Sequence, residues 1–89
     1  MAELHLPSTL PPLFPGLERH LHVEAGTVAA AIEELDARFP GLRDRLCEPG
    51  PARSLRRHIH VYVDRERGDL DSTLDERSRV DVIAAISGG

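Results

Sequence analysis

The sequence predicts an α+β fold, a mixed four- to five-stranded sheet with one main helix packed on one face. Three observations predict it. Short segments alternate polar and apolar residues, as in "ELHL", "ERHLHVE" and "HIHVYVD". One longer stretch, "GTVAAAIEELDARFPG", repeats its apolar residues at helical spacing. The last segment, "VDVIAAI", is apolar on both faces, which places it in the middle of the sheet or against a partner.

Each element follows from its local chemistry. Residues 3 to 6 alternate ahead of Pro7 and read as a half-buried strand. "PSTLPPLFPG" carries four prolines and a glycine, so it is a loop. In "ERHLHVE", Leu21 and Val23 point one way and His20 and His22 the other. The two strands flanking the loop form a hairpin. Thr27 is placed to cap the helix that follows. Val28, Ile32, Leu35 and Phe39 make its buried stripe, and Pro40-Gly41 ends it. "LRDRLC" is one further helical turn, with Leu42 and Leu46 on one side, and "EPGPARS" is loop. Ile59, Val61 and Val63 give the next strand one face, with His58, His60 and Tyr62 on the other. "RERGD" reads as a turn, and "LDSTLDERSR" as irregular chain anchored by Leu70 and Leu74. With one helix on one face, the other face of the sheet stays open. The reading is one domain over residues 1–86 and a flexible tail over 87–89.

Composition excludes several classes. With 89 residues, one modest core is expected, and with two Phe, one Tyr and no Trp it is aliphatic. A net charge of −4 disfavours nucleic acid and anionic membrane as partners. All 11 basic residues are arginine, so the chain cannot form lysine-linked chains with itself. The single Cys47 makes no internal disulfide, and no apolar segment reads as a signal peptide or membrane span. The expected compartment is a reducing cytoplasm. No nucleophile–histidine–carboxylate set, phosphate-cradling loop or paired carboxylates appear, so the domain is not read as an enzyme by itself.

Other candidate groups read as structural. The histidines at 5, 20, 22, 58 and 60 alternate to the side away from the core. They lack a cysteine or carboxylate motif at ligand spacing, so they are read as solvated or interface residues and no metal site is assigned. Cys47 lies near Arg43 and Arg45, which would favour thiolate, yet a structural thiol is the expected state. Asp64, Glu66, Asp69 and Asp71 lack the ligand order of a calcium loop. Arg53, Arg56 and Arg57 are read as solvated loop charge.

The chemistry concentrates in the final "ISGG". Glycine makes up about 7% of an average protein, so a Gly-Gly ending arises by chance in about one chain in 200. Here the pair directly follows a predicted core strand and forms an arm with little side-chain bulk. Such an arm threads a narrow channel in another protein. A bare carboxylate is a poor electrophile and requires activation by ATP before sulfur or an amine can take its acyl group.

The order of elements and the terminal Gly-Gly resemble the ubiquitin-like β-grasp sulfur carriers of the ThiS/MoaD family. The resemblance covers nearly the whole chain. It rests on "GTVAAAIEELDARFPGLRDRL", "RRHIHVYVD" and "VDVIAAISGG". It implies that Gly89 is adenylated by a ubiquitin-activating-like adenylyltransferase/sulfurtransferase and converted to a thiocarboxylate. ATP and Mg²⁺ would be used by that partner, with no cofactor bound by the chain itself. Ser87 and Gly88 would thread the partner's active site, and Ile83, Ala85 and Tyr62 would form the docking face. A sulfur-accepting biosynthetic enzyme would be the second partner. Two features depart from the family pattern: no proline precedes the tail in "AAISGG", and the turn after "VYVD" is charged. The long "FPGLRDRLCEPGPARSLRR" segment is similar to the branch that feeds sulfur to cysteine synthesis. Molybdopterin synthase small subunit and ubiquitin-like protein modifier remain as alternatives, as does a plain binding module.

Overall fold

In the computed structural model, residues 1–49 and 54–84 are described. Five strands form one sheet. They are β1 (Ala2–His5), β2 (His20–Val23), β3 (Ile59–Val63), β4 (Glu66–Gly68) and β5 (Arg79–Ala84). Two helices, α1 (Val28–Arg38) and α2 (Leu42–Leu46), lie between β2 and β3. The strand order is β2-β1-β5-β3-β4. β1 and β5 run parallel, and the other neighbours are antiparallel. The last strand therefore occupies the centre, with hydrogen-bonded neighbours on both sides.

Helix α1 starts where the sequence places it. Thr27 is extended, and its Oγ1 accepts a hydrogen bond from the Ala30 amide at 3.1 Å. Val28, Ala31, Ile32 and Leu35 are its buried residues. Gly41 turns the chain at a φ of 98°, in the left-handed region where a side chain is unfavourable. Asp36 then serves both helices. Its Oδ1 accepts from the amides of Gly41 and Arg43, at 3.2 and 3.0 Å, so α1 caps the start of α2. The proline-rich loop contains only a single 3-10 turn at Pro11–Leu13.

Strand alternation sorts the sheet into two faces. Leu4, Val23, Val61, Val80 and Val82 are buried in one cluster with Ile32, Leu35, Leu42 and Leu46 from the helices. Leu70 is buried in the same cluster and Leu74 packs against it, as the anchoring role predicted.

One sequence reading is corrected. "RERGD" is not all turn, because Glu66–Gly68 forms β4 and pairs antiparallel with β3. Val63 faces Glu66, so the turn is only Asp64-Arg65. Both residues have positive φ, 49° and 73°, as a tight hairpin turn of the primed type requires. Asp64 meets part of that strain by accepting the Arg79 amide on its Oδ1 at 2.9 Å. The usual glycine or asparagine signal is absent at Arg65, and β4 lacks the apolar alternation that announces a strand.

Candidate functional site

The face of the sheet turned away from the helices is the candidate site. Because alternate residues share a face, the strand registers place Glu3 and His5 beside His20 and His22. They also place Asp81 beside His5 on one side and Tyr62 on the other, and Ile83 beside His60. The sequence-predicted Ile83 and Tyr62 thus lie on one surface. Ile83 is 46% exposed, one of three large hydrophobic residues so placed among the described residues. Its position on the central strand makes it an apolar spot inside a polar face.

Several polar groups around this spot are held by neighbours. Arg79 grips Asp81 through Nε and Nη2 at 3.1 to 3.2 Å. Arg67 Nη2 donates to His60 Nδ1 at 2.8 Å. His5 Nε2 lies 2.7 Å from Glu3 Oε1, and its ring stands 4.2 Å from that of His20. An open hollow of about 760 Å³ runs along this face from His5 and His20 past Tyr62, Arg65 and Asp81 to Ile83 and Ala84. Its far end is the last described residue of β5. The root of the tail and the exposed apolar spot are therefore adjacent.

Ala85, Ser87, Gly88 and Gly89, named from the sequence as docking, threading and activation residues, lie outside the described residues. Arg53 does as well. Arg56 is occupied, with Nε donating to the Asp44 carbonyl at 2.7 Å. His58 is exposed just before β3 and belongs to no strand.

Cys47 is only 3% exposed and sits in the core cluster, at a bridge to Leu55. Burial pushes its thiol pKa up, against weaker opposing pulls from Arg43 and Arg56. The expected thiolate-favouring effect of the arginines is thus outweighed. Reaction of Cys47 with iodoacetamide at neutral pH should be at least about tenfold slower in the folded chain than in denaturant, since the thiolate is the nucleophile. Equal rates would place the thiol at the surface.

No helix among the described residues is long and apolar enough to cross a membrane.

Comparison with known proteins gives consistent results. The model of the ThiS family matches residues 13–89. The sulfur carrier protein CysO of Mycobacterium tuberculosis is 27% identical over 88 residues, which cover 94% of each chain. A crystal structure of the Amycolatopsis orientalis BexX/CysO complex contains a chain that superposes with a TM-score of 0.84 at 25% identity, over 100% of both chains. The crystal structure of SAMP1 from Haloferax volcanii has a TM-score of 0.77 at 24% identity, covering 99% of this chain and 98% of that one. That last likeness concerns the fold alone.

Proposed function

Because the chain belongs to the ThiS family, we propose that it is a sulfur carrier of cysteine biosynthesis whose Gly89 carboxylate is the loading site. The observation that carries this reading is the family match, which spans residues 13–89 and so includes the "ISGG" segment. The likeness to CysO proteins across nearly the whole chain supports the cysteine branch.

The chemistry is supplied jointly by tail and partner. The Gly89 carboxylate attacks the α-phosphorus of ATP, forming an acyl-adenylate and releasing pyrophosphate. A persulfide sulfur then displaces AMP to give an acyl disulfide. A thiol breaks the S–S bond, taking the donor into a new disulfide and leaving a thiocarboxylate on Gly89. Mg²⁺ accompanies ATP in the partner. The carrier's part is presentation. β5 pairs with β1 as far as Asp81 and with β3 as far as Ala84, so the arm starts from Ala84, opposite Ile59. The five residues beyond it have a fully extended reach of about 17 Å. That reach suits a partner whose reacting centre is recessed from the docking face. The same arm would serve two enzymes in turn, an activating adenylyltransferase and a sulfur-accepting enzyme. The BexX/CysO complex is one instance of a relative bound to a second protein.

The direct test is an intact mass of the chain after incubation with ATP, Mg²⁺, the host's activating enzyme and a sulfur source. One terminal oxygen should be replaced by sulfur, localised to Gly89. A chain that stays the free acid would overturn sulfur loading, and amide-linked conjugates would turn the reading toward protein modification.

Docking is assigned to Ile83 and Tyr62 on the open face and, from the family resemblance, to Ala85. Ile83→Asp should weaken binding to the activating enzyme by roughly tenfold or more, since it would desolvate an unpaired charge at the interface. Calorimetry with the two proteins reads this directly. Unchanged affinity would move the docking face elsewhere.

A further inference from the structure

The hollow on the open face carries a charge that an apolar docking spot does not need. Histidine apart, its charged lining among the described residues is Arg19, Arg65, Arg79 and Asp81. Arg79 and Asp81 hold each other, so their charges cancel. Arg19 and Arg65 remain. Both are exposed, and among the described residues neither takes part in an ion pair. The chain as a whole carries −4. The hollow is therefore a local positive spot on an acidic molecule.

The backbone sets each arginine at the hollow for a different reason. Arg19 stands where the chain enters β2, and its carbonyl accepts the Leu6 amide at 2.8 Å. Its Nε donates to the Leu6 carbonyl at 3.0 Å, which holds the guanidinium beside the end of β1. The two Nη groups are left for a carboxylate, which a guanidinium grips with paired hydrogen bonds. Arg65 lies on the other side of β5, in the β3–β4 turn, at a φ of 73°. Glycine or asparagine is the usual residue in such a turn, and a long side chain at positive φ is uncommon. The turn does not call for an arginine, whereas the hollow that it lines puts its charge to use.

From these relations we propose that the hollow takes an acidic segment of the activating enzyme, with Arg19 and Arg65 gripping its carboxylates on either side of β5. The inference rests on the carrier reading above and adds the chemistry of the surface that the carrier meets. A polypeptide segment suits the shape. The hollow is open along its length, whereas a small-molecule site encloses most of its ligand. β1 and β3 flank β5 and lie about 10 Å apart, two strand spacings, so a segment laid across the sheet reaches both arginines. Ile83 lines the same hollow and gives that segment an apolar contact between the two charges. Ala84 lines its far end, so an enzyme that takes the arm from there lies over the hollow. Charge at the edge of a docking face acts on association more than on dissociation, and it turns away partners of the wrong sign.

The test measures association of the full chain with the immobilised activating enzyme of the host, at low and at high salt. Arg65→Gly should slow association at low salt by at least about fivefold. Its melting midpoint should stay or rise, because glycine suits the positive φ. Arg19→Glu combined with Arg65→Glu should slow association by at least about tenfold. High salt should bring the native chain and the double variant to nearly the same rate, since exposed charges are then screened. Arg45→Glu, on an exposed arginine of α2 outside the hollow, should stay within about twofold of the native rate. An Arg65→Gly chain that associates as fast as the native one would overturn the inference. So would an Arg45→Glu effect as large as that of the double variant, which would make net charge the cause. Sulfur loading of the native chain, read by intact mass, separates the two readings. A chain that loads yet associates without regard to Arg19 and Arg65 overturns this inference alone. A chain that never loads overturns the carrier reading and this inference with it.

Discussion

Deleting Gly89 should abolish sulfur loading and leave the melting midpoint where it was. Among the described residues the buried cluster runs from Leu4 to Val82 and the strand pairings run to Ala84, and these carry the stability that a melt reads. The loss of loading should be complete because the deleted chain presents Ser87-Gly88, one residue shorter, to a channel measured for the full arm. Adding a single alanine after Gly89 should do the same, since the carboxylate is then moved and carries a methyl-bearing neighbour. Loading is read by intact mass and stability by a thermal melt. A residual thiocarboxylate on the shortened chain would show that reach is not limiting. A fall of several degrees would tie the tail to the core, because about 1 kcal/mol moves the midpoint of a domain this size by some 4 to 8 °C.

The strands and helices of the body were legible in the sequence for physical reasons. Period-2 alternation in "ELHL", "RHLHV" and "HIHVYV" reports which side chains meet the core, and each became a strand. Thr27, the Val28–Leu35 stripe and Gly41 fix the main helix by capping, burial and backbone freedom, all local effects. What failed was β4. A three-residue strand of Glu, Arg and Gly has no apolar period, and its turn puts Arg65 at positive φ where glycine or asparagine is the usual signal. Pairing partners were also out of reach. That β5 lies parallel to β1 depends on contacts between the two ends of the chain, which no local window contains. For the same reason alternation placed the histidines on the open face, yet only the register set His5 against His20 and Glu3 against His22. The role read for the glycine tail rests on residue chemistry and on the family match alone, and it is the intact mass of the loaded chain that tests it.

Leu35→Ala should lower stability by about 2 to 5 kcal/mol, the usual cost of removing a buried leucine and leaving a cavity. Leu35 is fully buried on α1, at the centre of the cluster that joins helix to sheet. For a small domain this is a large share of the total, since native stabilities are about 5 to 15 kcal/mol. The midpoint should fall by roughly 10 to 25 °C. Leu13→Ala is the matched control. Leu13 is 48% exposed in the proline-rich loop, and its truncation should change stability by no more than about 0.5 kcal/mol. Equal effects at the two positions would mean that the helix does not pack where the register and burial place it. The functional consequence is distinct from that of the Gly89 deletion. Below its lowered midpoint, Leu35→Ala should still accept sulfur at Gly89, because β5 keeps its pairing with β3 through Ala84, where the arm starts. Above it, loading should disappear together with the fold. A variant that stays folded but does not load would place α1 packing in the docking step, and the open face would then not be the only surface the partner reads.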